Sequence, residues 1–123
     1  MPETPDRLAE ESDQLDAHTL AIRQLNDQLR TTFSGGRVLM TPGINELDPL
    51  TVARVIEAVR SFDDFDEDND PFHTHEFGMI DVDAHKIMFK VDCYDHNLEY
   101  GSPNPADPAV TSRVLTIFLA SEY

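Results

Sequence analysis

Apolar residues recur along this chain with two different periods, and the switches between them mark its elements. From about Leu8 to Phe33 the spacing is helical, with Leu15, His18, Ile22, Leu25 and Leu29 on one continuous stripe. Ser34-Gly35-Gly36 predicts the stop, since paired glycines suit a left-handed cap. Arg37 to Thr41 reads as a strand closed by Pro42-Gly43. Asp48-Pro49 opens a second helix: Asp48 is placed to accept orphan N–H bonds, and Pro49 is tolerated at the first helical position. Val52, Val55, Ile56 and Val59 form its apolar face, Leu47 is placed to staple onto Val52, and the helix ends near Phe62.

Beyond residue 76 the period falls to two. Phe77 to Val82 and Ile87 to Tyr94 read as strands joined by a tight turn around Asp83-Ala84-His85. In the second, Ile87, Phe89, Val91 and Cys93 alternate with Met88, Lys90, Asp92 and Tyr94, as a half-buried antiparallel strand requires. Pro103, Pro105 and Pro108 make their stretch a loop, because a proline ring supplies no N–H to a helix or ladder. Arg113 to Tyr123 is taken as a last strand, central in the sheet because Val114 to Phe118 is nearly all apolar or β-branched. The sum is an α+β fold, two helices packed on one face of a mostly antiparallel sheet of about four strands. Residues 1–7 are expected to be a disordered lead and 8–123 a single domain, since 123 residues suit one core and 40% apolar content can fill it.

Charge changes the picture more than composition does. The chain has 24 Asp and Glu against 9 Lys and Arg, a formal net charge of −15. Nucleic acid and anionic membrane are repelled by such a field, whereas a protein that itself binds nucleic acid presents the complementary one. The single cysteine, Cys93, cannot form an intramolecular disulfide, and no apolar run approaches the roughly 20 residues needed to span a bilayer. The acidic, polar N-terminus is unlike a signal peptide, so a cytoplasmic location is the expectation.

The acids concentrate in Asp63–Asp70, DDFDEDND, six acids in eight residues. Carboxylates that dense cannot all be buried without counter-ions, so they face water or something positive. As a calcium loop the run fails: Asp64, Asp66 and Asp68 match, but Asn69 replaces the turn glycine and His75 stands at the twelfth position, where a bidentate Glu is needed. A second candidate is a metal site of a hydrolase. If residues 73–77 are extended, His73 and His75 point one way and could share a metal with Asp92 from the neighbouring strand. No helical His-Glu-x-x-His accompanies them, and polar residues bordering a loop explain the same letters. Cys93 is expected to be a buried structural thiol, since its neighbours Asp92 and Asp95 oppose thiolate formation. His18, on the apolar stripe, is expected to be a partly buried core residue.

Several segments resemble a known family. They are Asn26-x-x-Leu29-Arg30, Thr41-Pro42-Gly43, Asp70-Pro71, His75-x-Phe77-Gly78, Lys90-Val91-Asp92-x-Tyr94-Asp95 and, most specific, Arg113-Val114-Leu115-Thr116-Ile117. From Asn26 onward the chain resembles domain-of-unknown-function family 3768, short bacterial proteins often carried on plasmids and other mobile elements. It departs from the family pattern at Thr74, where an acid is expected, and at Cys93, where an aromatic is usual. The family brings no catalytic residues and no cofactor. Its setting implies, by analogy, an inhibitor of host defence of the anti-CRISPR or anti-restriction type. The leading expectation is therefore a non-enzymatic, nucleic-acid-mimicking protein. It would present Asp63, Asp64, Asp66, Glu67, Asp68 and Asp70, with Asp81 and Asp83 in support, to a basic surface. The rivals are a metal-dependent hydrolase using His73, His75 and Asp92, and a homodimeric accessory protein whose terminal strand pairs across a two-fold axis.

Overall fold

Asp16 starts the first helix, α1, Ala17–Thr32, by accepting the Thr19 N–H on its side chain at 2.6 Å. The computed structural model describes residues 15–123; the expected lead over 1–7 and the expected helix before residue 15 lie outside the described residues. α1 ends at Thr32, one residue before the expected Phe33, and its cap is not one of the glycines. Phe33 is the left-handed cap, at φ 60°, and its N–H returns to Leu29 O. Gly36 serves a different purpose, since a Cβ there would overlap the Arg113 carbonyl. The buried face of α1 is Asn26, Leu29 and Arg30. His18 is exposed, with Nε2 3.0 Å from Asn104 Oδ1, which corrects its expected place in the core.

Strand β1, Arg37–Met40, runs into α2, Pro42–Asn45, a single turn where the sequence suggested only a bend. α3, Pro49–Ser61, begins with Pro49 in its first turn, but the Asp48 side chain makes no capping bond. Val55 and Val59 are fully buried and Val52 and Ile56 half-buried, so the helical period held. β2, Phe77–Val82, and β3, His85–Tyr94, are joined by Asp83 and Ala84, at φ 50° and 71°. Two positive φ values mark a two-residue hairpin turn, one residue tighter than expected, and His85 pairs with Val82. β4, Ser112–Leu119, gives way to a 3₁₀ turn, Ala120–Glu122, so the expected strand stops four residues short of Tyr123.

Sheet order is β1-β4-β3-β2, with β1 parallel to β4 and the other pairs antiparallel. The fold is α+β, helices on one face of a mostly antiparallel four-stranded sheet. Leu29, Ile44, Val55 and Val59 from the helices meet Ile87, Phe89, Leu115 and Ile117 from the sheet, all fully buried. Each contributes on the order of 1.5–3 kcal/mol by leaving water. Because β4 is interior, its edges are both used, and pairing of the terminal strand across a two-fold axis is ruled out. Among the described residues no helix is long and apolar enough to cross a membrane.

Two substitutions should move stability in opposite directions. A Cβ at Gly78 would overlap the Phe89 ring and lie 2.9 Å from the Phe62 ring, so Gly78→Ala should cost about 1–3 kcal/mol in urea denaturation. Ala84→Gly, relieving a left-handed alanine, should add roughly 0.5–1 kcal/mol. Unchanged midpoints for both variants would contradict this reading of the backbone.

Candidate functional site

The acidic segment leaves α3 over a buried arginine. Arg30, only 3% exposed, donates from Nη1 to Val59 O at 3.1 Å and Phe62 O at 2.7 Å. These are carbonyls at the C-terminal end of α3, where helix partners run out and positive charge is favoured. Its Nη2 is 3.1 Å from Asp27 Oδ1, and its guanidinium carbon lies 5.2 Å from the Phe65 ring centre and 5.6 Å from that of Phe89. Nε is buried without a partner. A planar, weakly hydrated guanidinium tolerates such a site better than an ammonium would.

Phe65 is the apolar residue inside the acidic run, and it turns inward. It meets Phe62 edge-on at 4.9 Å and stacks on His75 at 3.9 Å, the rings 4° from parallel. His75 Nδ1 donates to the Asp27 carboxylate, 2.9 and 3.1 Å from its two oxygens, and Nε2 lies 3.7 Å from Asp70 Oδ2. The His75 N–H donates to Asp70 Oδ1 at 3.0 Å. Two further residues of α1 hold the same stretch: Arg23 Nε donates to His73 O at 2.8 Å, and Asn26 Nδ2 to Thr74 O at 2.9 Å. Burial alone would push the Asp27 carboxyl up. The bonds and charge of His75 and then Arg30 outweigh it and hold the group below its ordinary value.

Between these anchors the acids build their own turn. Asp66 Oδ1 accepts the Asp68 and Asn69 N–H groups at 2.9 and 3.0 Å, and Asn69 Oδ1 accepts that of Asp66 at 2.8 Å. Asn69 Nδ2 donates to Asp64 O at 2.9 Å. The turn leaves Asp63, Asp64, Asp66, Glu67 and Asp68 exposed, and among the described residues no ion pair involves any of them. Asp70 is different: at 5% exposure it faces inward to His75 and is not part of the outer surface. Asp81 and Asp83 stand at the far end of β2, roughly 17 Å of strand away, paired with Lys86 at 3.3 Å and Arg54 at 2.6 Å. The structure brings the first five acids together and leaves these two apart.

The proposed metal triad is not assembled. His73 and His75 sit at φ 64° and 57°, so the segment is not extended as the alternation argument required. His75 is engaged by Asp27 and Asp70, while Asp92 lines a separate cavity of about 230 Å³ with Asn26, Glu76 and Cys93. Among the described residues no group of three or more His, Cys, Asp or Glu is placed to hold a metal ion. Cys93 is half-buried where full burial was expected, and desolvation pushes its thiol up, away from a reactive thiolate. Near that cavity the buried Arg113 donates from Nε to Asn26 Oδ1 at 2.7 Å and from Nη2 to Pro105 O at 2.6 Å, tying the proline loop to α1.

The lowered Asp27 carboxyl gives a pH test. A depressed folded pKa contributes stability above the unfolded value, lost as pH falls through the folded one, so the window lies below about pH 4. Asp27→Asn should be less stable at neutral pH and lose less on acidification than the parent. Parallel urea-midpoint curves for the two proteins would show that the Asp27 pairs carry no net stability.

Comparison with known proteins adds a family and nothing further. No curated protein and no solved structure matches the chain. The family described as "Protein of unknown function (DUF3768)" matches residues 40–122. That span includes the acidic turn, Asp70, His75 and strands β2 to β4 but only Met40 of β1, and begins after the α1 residues that hold them. The match covers well over half of the sequence, and the chain belongs to the DUF3768 family.

Proposed function

We propose that the protein is a non-enzymatic binding protein whose working surface is the acidic turn, offered to a Lys/Arg-lined groove on a nucleic-acid-handling protein. What supports this reading is one observation: five exposed carboxylates on a single turn, tied at both ends, with no ion-pair partner among the described residues. An anchored turn binds with less ordering cost than a free acidic tail, and its field speeds encounter with a basic partner. Carboxylates at this spacing can take bidentate bonds from arginine in place of phosphate oxygens. The resemblance to mobile-element proteins supplies the biological setting by analogy: inhibition of a host defence protein, in the cytoplasm, by occupying its nucleic-acid channel.

Asp66 also holds the turn together, so it is better left in place. The variant Asp63→Asn, Asp64→Asn, Glu67→Gln, Asp68→Asn removes four charges and keeps the turn's internal bonds. In affinity capture from bacterial lysate, the parent should retain a nucleic-acid-binding protein that salt or added duplex DNA releases. The fourfold variant, with an unchanged circular dichroism spectrum, should bind that protein at least about tenfold more weakly. Equal retention by the variant, or captured proteins with no affinity for nucleic acid, would overturn the proposal.

A further inference from the structure

β2 is an outer strand, and its outer edge meets no further strand among the described residues. The Val91 N–H donates to Glu76 O at 2.8 Å, which fixes the phase of the ladder between β2 and β3. From that pair onward Gly78, Ile80 and Val82 turn their backbone N–H and C=O groups toward β3. Phe77, Met79 and Asp81 turn theirs outward, and among the described residues none of these groups is hydrogen-bonded. Backbone polar groups without a protein partner stand in water, so the row is accessible. Outer strands are normally blunted by proline, lysine, a bulge or brevity. β2 has six residues, neither proline nor lysine, and an unbroken register from Phe77 to Val82. The opposite edge is blunted: β1 has four residues, begins with Arg37 and is followed by Pro42, and Asn45 Nδ2 takes the Met40 carbonyl.

Acids stand at both ends of this open edge. Glu76 is exposed just before the strand, and Asp81 and Asp83 are exposed at its far end. Lys86 and Arg54 pair with the latter two at 3.3 and 2.6 Å, and among the described residues Glu76 has no basic partner. This layout disfavours a second copy. Two β2 edges pairing antiparallel about a two-fold axis would bring Asp81 and Asp83 of each copy beside Glu76 of the other, in chains of net charge −15. Nucleic acid is repelled by the same field. An extended segment carrying lysine or arginine meets opposite charge at both ends instead.

We propose that the outer edge of β2 takes up an extended, Lys/Arg-bearing segment of a partner protein as an added strand of the sheet. Main-chain bonds to Phe77, Met79 and Asp81 hold the segment, and its basic side chains meet Glu76 at one end and Asp81 and Asp83 at the other. An edge of this length, roughly 20 Å, accepts a segment of about six residues. Ordering a flexible segment offsets much of the gain, so the contact is weak and reversible. The proposal rests on the backbone of β2 and is independent of the acidic turn.

Titration of the isotope-labelled full chain with the end-blocked peptide Lys-Val-Lys-Val-Lys-Val, followed by NMR, tests it. At saturation the Phe77, Met79 and Asp81 amides should exchange with solvent at least about tenfold more slowly. Those of Gly78, Ile80 and Val82, already bonded to β3, should be unchanged. The same peptide methylated on every backbone nitrogen keeps its charges and loses its donors, and it should bind at least about tenfold more weakly. A Glu-Val counterpart should not bind. Met79→Pro removes an outward N–H at an edge position, where proline is tolerated, and should weaken binding at least about tenfold with an unchanged circular dichroism spectrum. Protected β2 edge amides in the free protein together with a two-chain mass would show that a second copy fills the edge and would overturn the proposal. So would peptide-induced changes confined to residues 63–70, or equal binding of the methylated peptide.

Discussion

The guanidinium of Arg30 is the constraint on which the upper half of the molecule depends. It closes the end of α3 by taking carbonyls of Val59 and Phe62, gives Phe65 and Phe89 a cation to pack on, and meets Asp27 on its own helix. A charge at this depth is costly unless its donors find acceptors, and truncating it would leave those carbonyls and the Asp27 carboxylate without their positive partner. Asp27 then reaches His75, and His75 reaches Asp70. One buried cation thus organises the whole return from α3 to β2.

The same economy explains why the surface is so negative. Several arginines donate to backbone carbonyls: Arg23 to His73 O, Arg30 to Val59 O and Phe62 O, Arg60 to Thr31 O, and Arg113 to Pro105 O. Basic groups engaged this way hold segments together while, among the described residues, no ion pair involves the exposed acids of the turn. The open charge of the acidic turn is a consequence of where the few cations stand.

Much of the fold was legible because it rests on periodicity. The alternation Ile87, Phe89, Val91 identified β3, and Val114 to Phe118 identified an interior strand, both as found. Periodicity misjudged α1, where the stripe through His18 and Leu25 is only partly inside and Asn26 and Arg30 are buried instead. A polar residue at a core position looks like an error in a pattern until its partner, far along the chain, is known. Asp70 has the same history. Among six neighbouring acids nothing in the letters distinguishes the one whose carboxylate receives the His75 N–H. The metal triad failed because His73 and His75 adopt left-handed backbone, which the side-chain types do not announce.

Amide hydrogen exchange by NMR tests the claim that the acidic turn is a fixed platform and not a tether. The N–H groups of Asp68, Asn69, Asp70, His73 and His75 are all bonded within the segment. The account predicts that they are protected together in the parent protein and lose that protection together in Arg30→Met, while the β3 amides stay protected. Rapid exchange of these five amides in the parent protein would contradict it.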